Sequence, residues 1–222
     1  MNRLPEKLEV LRKIHDEVVM AIIRVDSADE ACRMAGAIIA GGITVLEISL
    51  TTPGALAAID RLTAAGAGQS IIGAGTVLDA TSARLAIAAG SRFIVCPTLS
   101  REVITMCNRY GVPVIPGIGS VNELVQAMEW GADVVKIFPG SLFGPAFITA
   151  LEGPLPQARV IPVGGVSKSN MVEWISAGAF ALGLGKGLTH ADGTKADSVA
   201  AERQAAEIST MVAAERSRRQ AP

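Results

Sequence analysis

The feature that most constrains this chain is an alternation. Short apolar, β-branched runs take turns with alanine-rich stretches of helical period. The runs cover residues 19–25, 43–49, 70–76, 93–97, 112–118, 134–139, 159–165 and 179–185. Their starts lie about 20 to 27 residues apart, which is room for a strand, a helix and two short loops. Most of them are nearly continuous hydrophobic runs, as parallel strands covered by helices require. Helix-start signals fall between the runs. Ser27 with Glu30, and Ser120 with Glu123, read as capping boxes. Thr52 reads as an N-cap, with Pro53 at the first helical position. Gly41, Gly66, Gly90, Gly111, Gly131 and Gly178 each precede the next strand, so they read as helix stops. Eight such units with right-handed crossovers predict a closed TIM (β/α)8 barrel, in the α/β class. The alternative is an open doubly wound sheet.

The expected organisation is one barrel domain over residues 1–222, a size such barrels reach as a single unit. Residues 1–17 read as an extra N-terminal helix able to cover the barrel floor. Residues 195–217 read as the last helix. The arginine-rich end around Arg216 and Arg219 reads as a solvated terminus rather than a binding patch. Half of the residues are hydrophobic and 18% are charged, which excludes a disordered chain. Twenty basic residues against 21 acidic ones, with 4% aromatics, leave no footprint for nucleic acid or an anionic membrane. Cys32, Cys96 and Cys107 form neither a disulfide framework nor a CxxC motif, so a reducing compartment is expected. No signal peptide and no bilayer-spanning stretch is apparent, and the expected location is cytoplasmic.

In such a barrel, chemistry sits at the C-terminal ends of the strands. Polar residues are scarce in these runs, and that makes them informative. Lys136 interrupts Val134-Val-Lys-Ile-Phe138. Burying a charged lysine is costly, and burial favours the neutral amine, a nucleophile that forms Schiff bases with carbonyls. The plainer reading is an ion-paired structural lysine. Glu47 interrupts Val45-Leu-Glu-Ile-Ser49, where strand alternation puts Val45, Glu47 and Ser49 on one side. There it is expected to pair with Lys136 or to act as a general base through water. The plainer reading is again a structural ion pair. Arg24 ends the first run, and its guanidinium suits a carboxylate or a phosphate. Thr76 ends the third run beside two small glycines. Taken singly, these are also an ordinary surface arginine and a turn threonine. Gly164 and Gly165 follow the seventh run, and Gly185 and Lys186 follow the eighth. Glycine loops at those places bind phosphate through backbone N–H groups. Gly-Gly alone is also ordinary turn chemistry.

Other residues promise less. His15 and His190 lie outside the strand ends, and no residues have metal-ligand spacing, so no metal site is expected. Cys96 reads as a buried, inert thiol. The segment Gly73-Ala-Gly-Thr76 lacks the third glycine and the later carboxylate of a dinucleotide fingerprint.

These residues also carry a resemblance. Leu46-Glu-Ile-Ser-Leu-Thr-Thr-Pro53, Ile72-Gly-Ala-Gly-Thr-Val-Leu78, Ile115-Pro-Gly117, Val135-Lys-Ile-Phe-Pro-Gly140, Gly153-Pro-Leu-Pro-Gln157 and Pro162-Val-Gly-Gly-Val166 occur in that order. Together they resemble the bacterial 2-dehydro-3-deoxy-6-phosphogluconate aldolase family, which includes 4-hydroxy-2-oxoglutarate and 6-phosphogalactonate aldolases. The resemblance runs from about Val19 to the last helix. It implies a metal-independent class I aldolase without a cofactor, commonly a homotrimer, acting on a small 2-oxo acid in the Entner-Doudoroff pathway. It implies that Lys136 is the Schiff-base lysine and Glu47 the general acid/base, with Thr76 at the substrate carboxylate. Thr51, Pro97 and Phe138 complete the expected substrate-binding set. Gly164, Gly165 and Gly185 match phosphate-binding turns, with Lys186 beside them.

Three positions depart from the family pattern. Well-known members carry an arginine where this chain has Thr51, four residues after the glutamate. Arg24 matches an arginine found at the first strand end in other branches, and is expected to take over the carboxylate. Many members have a threonine in place of Val163, and a serine in place of Lys186. The expected substrate is 2-dehydro-3-deoxy-6-phosphogluconate. Its galactonate epimer and 4-hydroxy-2-oxoglutarate are the alternatives within the class. Remoter alternatives are a phosphate-binding isomerase, a thiamine-phosphate synthase-like transferase and a sugar-phosphate sensor.

Overall fold

The computed structural model describes residues 6–66, 70–190 and 196–220, the last five by backbone alone. Helix α1 (Glu6–Glu17) leads into β1 (Val19–Ile23), α2 (Ala28–Ala40), β2 (Val45–Ser49), α3 (Ala55–Ala64), β3 (Ile71–Gly75) and α4 (Ala80–Ala88). Then come β4 (Ile94–Val95), α5 (Arg101–Arg109), β5 (Val114–Ile115), β6 (Gly117–Ile118), α6 (Val121–Glu129) and β7 (Val135–Ile137). A 3-10 turn (Gly140–Leu142) precedes α7 (Pro145–Leu151), β8 (Val160–Pro162), α8 (Met171–Ser176), β9 (Leu182–Leu184), α9 (Lys186–Thr189) and α10 (Ser198–Gln220). The first five residues of the expected N-terminal helix, and residue 195 of the expected last one, lie outside the described residues. So do the side chains around Arg216 and Arg219. The last helix begins at Ser198 rather than 195 and continues to Gln220.

Every strand pair is parallel. One sheet has the order β5-β4-β3-β2-β1-β9, and the other β6-β7-β8. They are parts of one ring. β5 and β6 are halves of the single run 112–118, separated by Pro116, which has no N–H to give to a ladder. The upstream half bonds to β4 and the downstream half to β7, while the Pro116 carbonyl still accepts from Lys136 N at 2.8 Å. At the other seam, Val163 bridges Gly183 and joins β8 to β9. The eight runs therefore close into the (β/α)8 barrel, and the open sheet is set aside.

Strand alternation builds two apolar layers. Met20, Ile22, Val45, Ile71, Phe93, Val95, Ile115, Val134 and Ile161 fill the interior. Ala21, Ile23, Leu46, Ile48, Ile94, Val135 and Ile137 face the helices. Val10 and Ile14 of α1 join the interior layer at the N-terminal strand ends, so α1 covers the floor as expected.

Several local expectations are corrected. Thr52 does not cap a helix: α3 begins at Ala55 after Gly54, and the buried Thr52 hydroxyl accepts the N–H of Val25 at 3.2 Å. The left-handed residue after α2 is Gly42 (φ +95°), not Gly41. Gly41 serves packing instead, since a Cβ there would overlap Glu202 and Ala205 of α10. Ser27 and Ser120 do cap α2 and α6. Their partners Glu30 and Glu123 reach one residue beyond a capping box, to the N–H groups of Asp26 and Gly119.

Candidate active site

The site gathers at the C-terminal strand ends. Glu47 and Lys136 continue the inward faces of β2 and β7, above Val45 and Val134. They are 1% and 5% exposed, so both are enclosed by the barrel wall. Among the described residues, no ion pair within 4.0 Å joins them, which corrects the expected direct pairing. Glu47 Oε2 is buried without a protein hydrogen-bond partner. Burial pushes the Glu47 carboxyl above the ordinary carboxylate range, and the charges of Lys136 and Arg24 pull only partly the other way. Lys136 Nζ lies 4.8 Å from the centre of the Phe138 ring, in cation–π range.

Small residues on β3 make the room. Strand alternation turns Gly73 and Gly75 inward. A Cβ at Gly73 would overlap the Phe93 ring, and one at Gly75 would overlap the Glu47 carboxylate. Gly75→Ala is therefore expected to displace the carboxylate. Steady-state kinetics should give a kcat at least about tenfold lower. Thermal unfolding should show a loss of about 1–3 kcal/mol from overpacking.

Next to Glu47 lies a cluster of donors from three strand ends. Arg24 Nε donates to Thr51 Oγ1 at 3.1 Å and, more weakly, to Ser49 Oγ at 3.4 Å. Its Nη2 donates to Thr76 Oγ1 at 3.3 Å. The Ser49 hydroxyl also lies 2.8 Å from Thr51 Oγ1 and 2.9 Å from Thr76 Oγ1. Thr76 has φ +57°, a left-handed conformation that costs a β-branched residue about 1–3 kcal/mol. Its bonds to Arg24 and Ser49 hold it there, and the kink redirects its side chain at the strand end. The guanidinium has five N–H donors and no acceptor, and some of those donors remain unspent. Such a set matches a planar anion.

The glycine loops sit at the same end of the barrel. Gly164 and Gly165 have φ +85° and +82°, a pair of left-handed positions that side chains would strain. Gly140, after the lysine strand, donates its N–H to the Val163 carbonyl at 2.7 Å, so the two loops touch. The Asn170 amide donates to the Gly165 carbonyl at 2.8 Å and secures the turn. Gly185 precedes α9, and Lys186 is exposed on it. Pro97 is half-buried after β4, and its carbonyl packs where Gly117 has no side chain. Cys96 is buried, and burial pushes its thiol up to about 12.

Sequence reasoning placed Ser49 inward and noted the glycines beside Thr76, but named neither Ser49 nor Gly75 among the site residues. Ser49 and Gly75 belong to the geometry as much as Glu47 does. For Ser49 the signal was present: it is a polar residue on the inward side of an apolar strand, the same argument that selected Lys136.

Comparison with known proteins agrees with the fold. The family model for KDPG and KHG aldolase matches residues 10–204. A 2-dehydro-3-deoxy-6-phosphogalactonate aldolase of Escherichia coli K12 is 39% identical over 78% of this chain and 85% of its own length. A 2-dehydro-3-deoxy-phosphogluconate aldolase of Treponema pallidum is 37% identical over 71% of this chain and 75% of its own. A solved KDPG aldolase of Legionella pneumophila, with pyruvate captured at low pH as a covalent carbinolamine intermediate, superposes with a TM-score of 0.78. It is 28% identical and covers 96% of this chain and 98% of its own. The fold and site define a barrel enzyme of the aldolase class, a carbon–carbon lyase. The chain belongs to the KDPG and KHG aldolase family.

Proposed function

We propose that this enzyme cleaves 2-dehydro-3-deoxy-6-phosphogluconate to pyruvate and glyceraldehyde 3-phosphate through a Schiff base on Lys136. The observation that carries this is one buried lysine and one buried carboxyl beside a donor cluster fit for a carboxylate. The Lys136 amine attacks the C2 ketone, forming a carbinolamine that loses water to give an iminium. Glu47 moves the protons of these steps, directly or through a water. It then takes the proton of the C4 hydroxyl. The C3–C4 bond breaks, its electrons pass to the iminium as an enamine, and the aldehyde leaves. Protonation at C3 and hydrolysis release pyruvate and restore the amine. Burial raises the Glu47 pKa above the ordinary carboxylate range, which favours its protonated form and its use as a proton donor as well as an acceptor.

In this reading Arg24, Thr51 and Thr76 hold the substrate carboxylate, so the ketone meets the amine in a near-attack geometry. Pro97 and Phe138 bound the chamber. Gly164, Gly165, Gly185 and Lys186 hold the phosphate, and that remote binding orients the reacting bond. No metal or other cofactor takes part. The enzyme works in the cytoplasm, within the Entner-Doudoroff pathway. As a homotrimer it buries apolar surface, for which exposed Leu78, Leu85 and Tyr110 on neighbouring elements are suited.

The same chemistry on the galactonate epimer is the second reading. It is favoured by Arg24 reaching the carboxylate cluster from β1, with Thr51 in place of an arginine. Pyruvate release, compared across both phosphorylated epimers and 4-hydroxy-2-oxoglutarate, tests the assignment. Lys186→Ser is expected to raise KM about tenfold for the phosphorylated substrates and to leave the unphosphorylated one unchanged. An unchanged KM for all three would place Lys186 away from the phosphate.

A further inference from the structure

We propose that Ser49 is a positioning residue for the carboxylate site, setting where the Arg24 guanidinium and the two threonine protons point. This rests on the Schiff-base reading above. Ser49 is fully buried, on the strand that carries Glu47, and its hydroxyl touches all three members of the cluster. Arg24 and Thr51 lie on different strand ends, and Thr76 on a third. Ser49 is the atom between them.

The proton count gives this contact its consequence. Each of the three hydroxyls has one proton and two lone pairs. The guanidinium only donates, so it occupies lone pairs on Ser49, Thr51 and Thr76. The two hydroxyl–hydroxyl contacts consume two of the three hydroxyl protons. One hydroxyl proton and the remaining guanidinium N–H groups are left for a ligand that accepts and does not donate. A carboxylate is such a ligand. Without the Ser49 hydroxyl, one threonine loses the acceptor of its proton and the other loses the donor to its oxygen, and Thr76 loses one of the two side-chain bonds that hold its left-handed backbone.

Borohydride trapping separates this role from a structural one. Wild type, Ser49→Ala and Ser49→Thr are each incubated with pyruvate, or with a simple aldehyde lacking a carboxylate, and then reduced. Ser49→Ala is expected to need about tenfold more pyruvate for half-maximal labelling of Lys136. Its labelling rate at saturating pyruvate, and its labelling by the aldehyde, should stay near wild type. Ser49→Thr restores the hydroxyl and should recover most of the pyruvate affinity. Equal losses with pyruvate and aldehyde in Ser49→Ala would mean a general packing defect and overturn the proposal. So would an unchanged half-saturation for pyruvate. Wild type that is never labelled on Lys136 would instead overturn the Schiff-base reading, a result distinguishable from either.

Discussion

Replacing Lys136 with alanine is expected to lower turnover by ~10⁴-fold or more and to remove the borohydride-stable pyruvate adduct. The size follows from what the amine supplies. Breaking the C3–C4 bond leaves an electron pair on C3. With an iminium at C2, that pair moves into a neutral enamine. Without it, the pair must become an enolate, and the Arg24 cluster is already engaged with the carboxylate in the proposed mode. No other described lysine is buried, so no second amine stands ready to replace it. Lys136→Met controls for the cavity that alanine leaves. Methionine keeps most of the volume and the contact with Phe138, and removing a buried amine costs the fold little. It is expected to be as inactive as the alanine variant, with a Tm at or above that of wild type. Turnover retained in both variants, with folded protein, would falsify the role of the lysine.

The barrel was legible because its rules are local. Each strand announced itself as an apolar run, and most of the helix stops between them as a glycine. The polar exceptions in those runs pointed to the chamber: Lys136 and Glu47 could be placed inward from alternation alone. What was not legible depended on where neighbouring strands end. Thr52 carries every mark of a helix cap, yet its hydroxyl is taken by Val25, which is distant in sequence. Gly41 looks like a left-handed stop, but it is small because α10, far down the chain, packs on it. The space between Glu47 and Lys136 is likewise set by strand register around the ring, which no local pattern encodes. Thr76 lies on the parity of the outward residues Ile72 and Ala74, and only its positive φ brings it to Arg24. A backbone exception of that kind leaves no trace in composition or spacing.

Glu47→Gln is expected to be the variant in which activity and stability move in opposite directions. Loss of proton transfer should cut kcat by about 10²–10⁴-fold. Stability should change through linkage. Burial raises the folded-state pKa of Glu47 above its value in the unfolded chain, in spite of Lys136 and Arg24. Between those two values the folded protein binds more protons than the unfolded one, so wild-type stability falls as pH rises through that window. The window opens at the ordinary carboxylate range and closes at the raised folded value. A glutamine stays neutral and lacks this term. Its amide is also buried without a protein partner, but an unpaired neutral group costs less than an unpaired charge. The Tm difference between Glu47→Gln and wild type should therefore grow in favour of the variant as pH rises from the acid side, and then level off. A gain of about 1 kcal/mol would appear as about 2–4 °C for a chain of this size. A gap that shrinks with rising pH would mean that Glu47 is stabilised as a charge in the folded state. The carboxylate would then be a structural partner of the two cations rather than a group held ready to exchange protons.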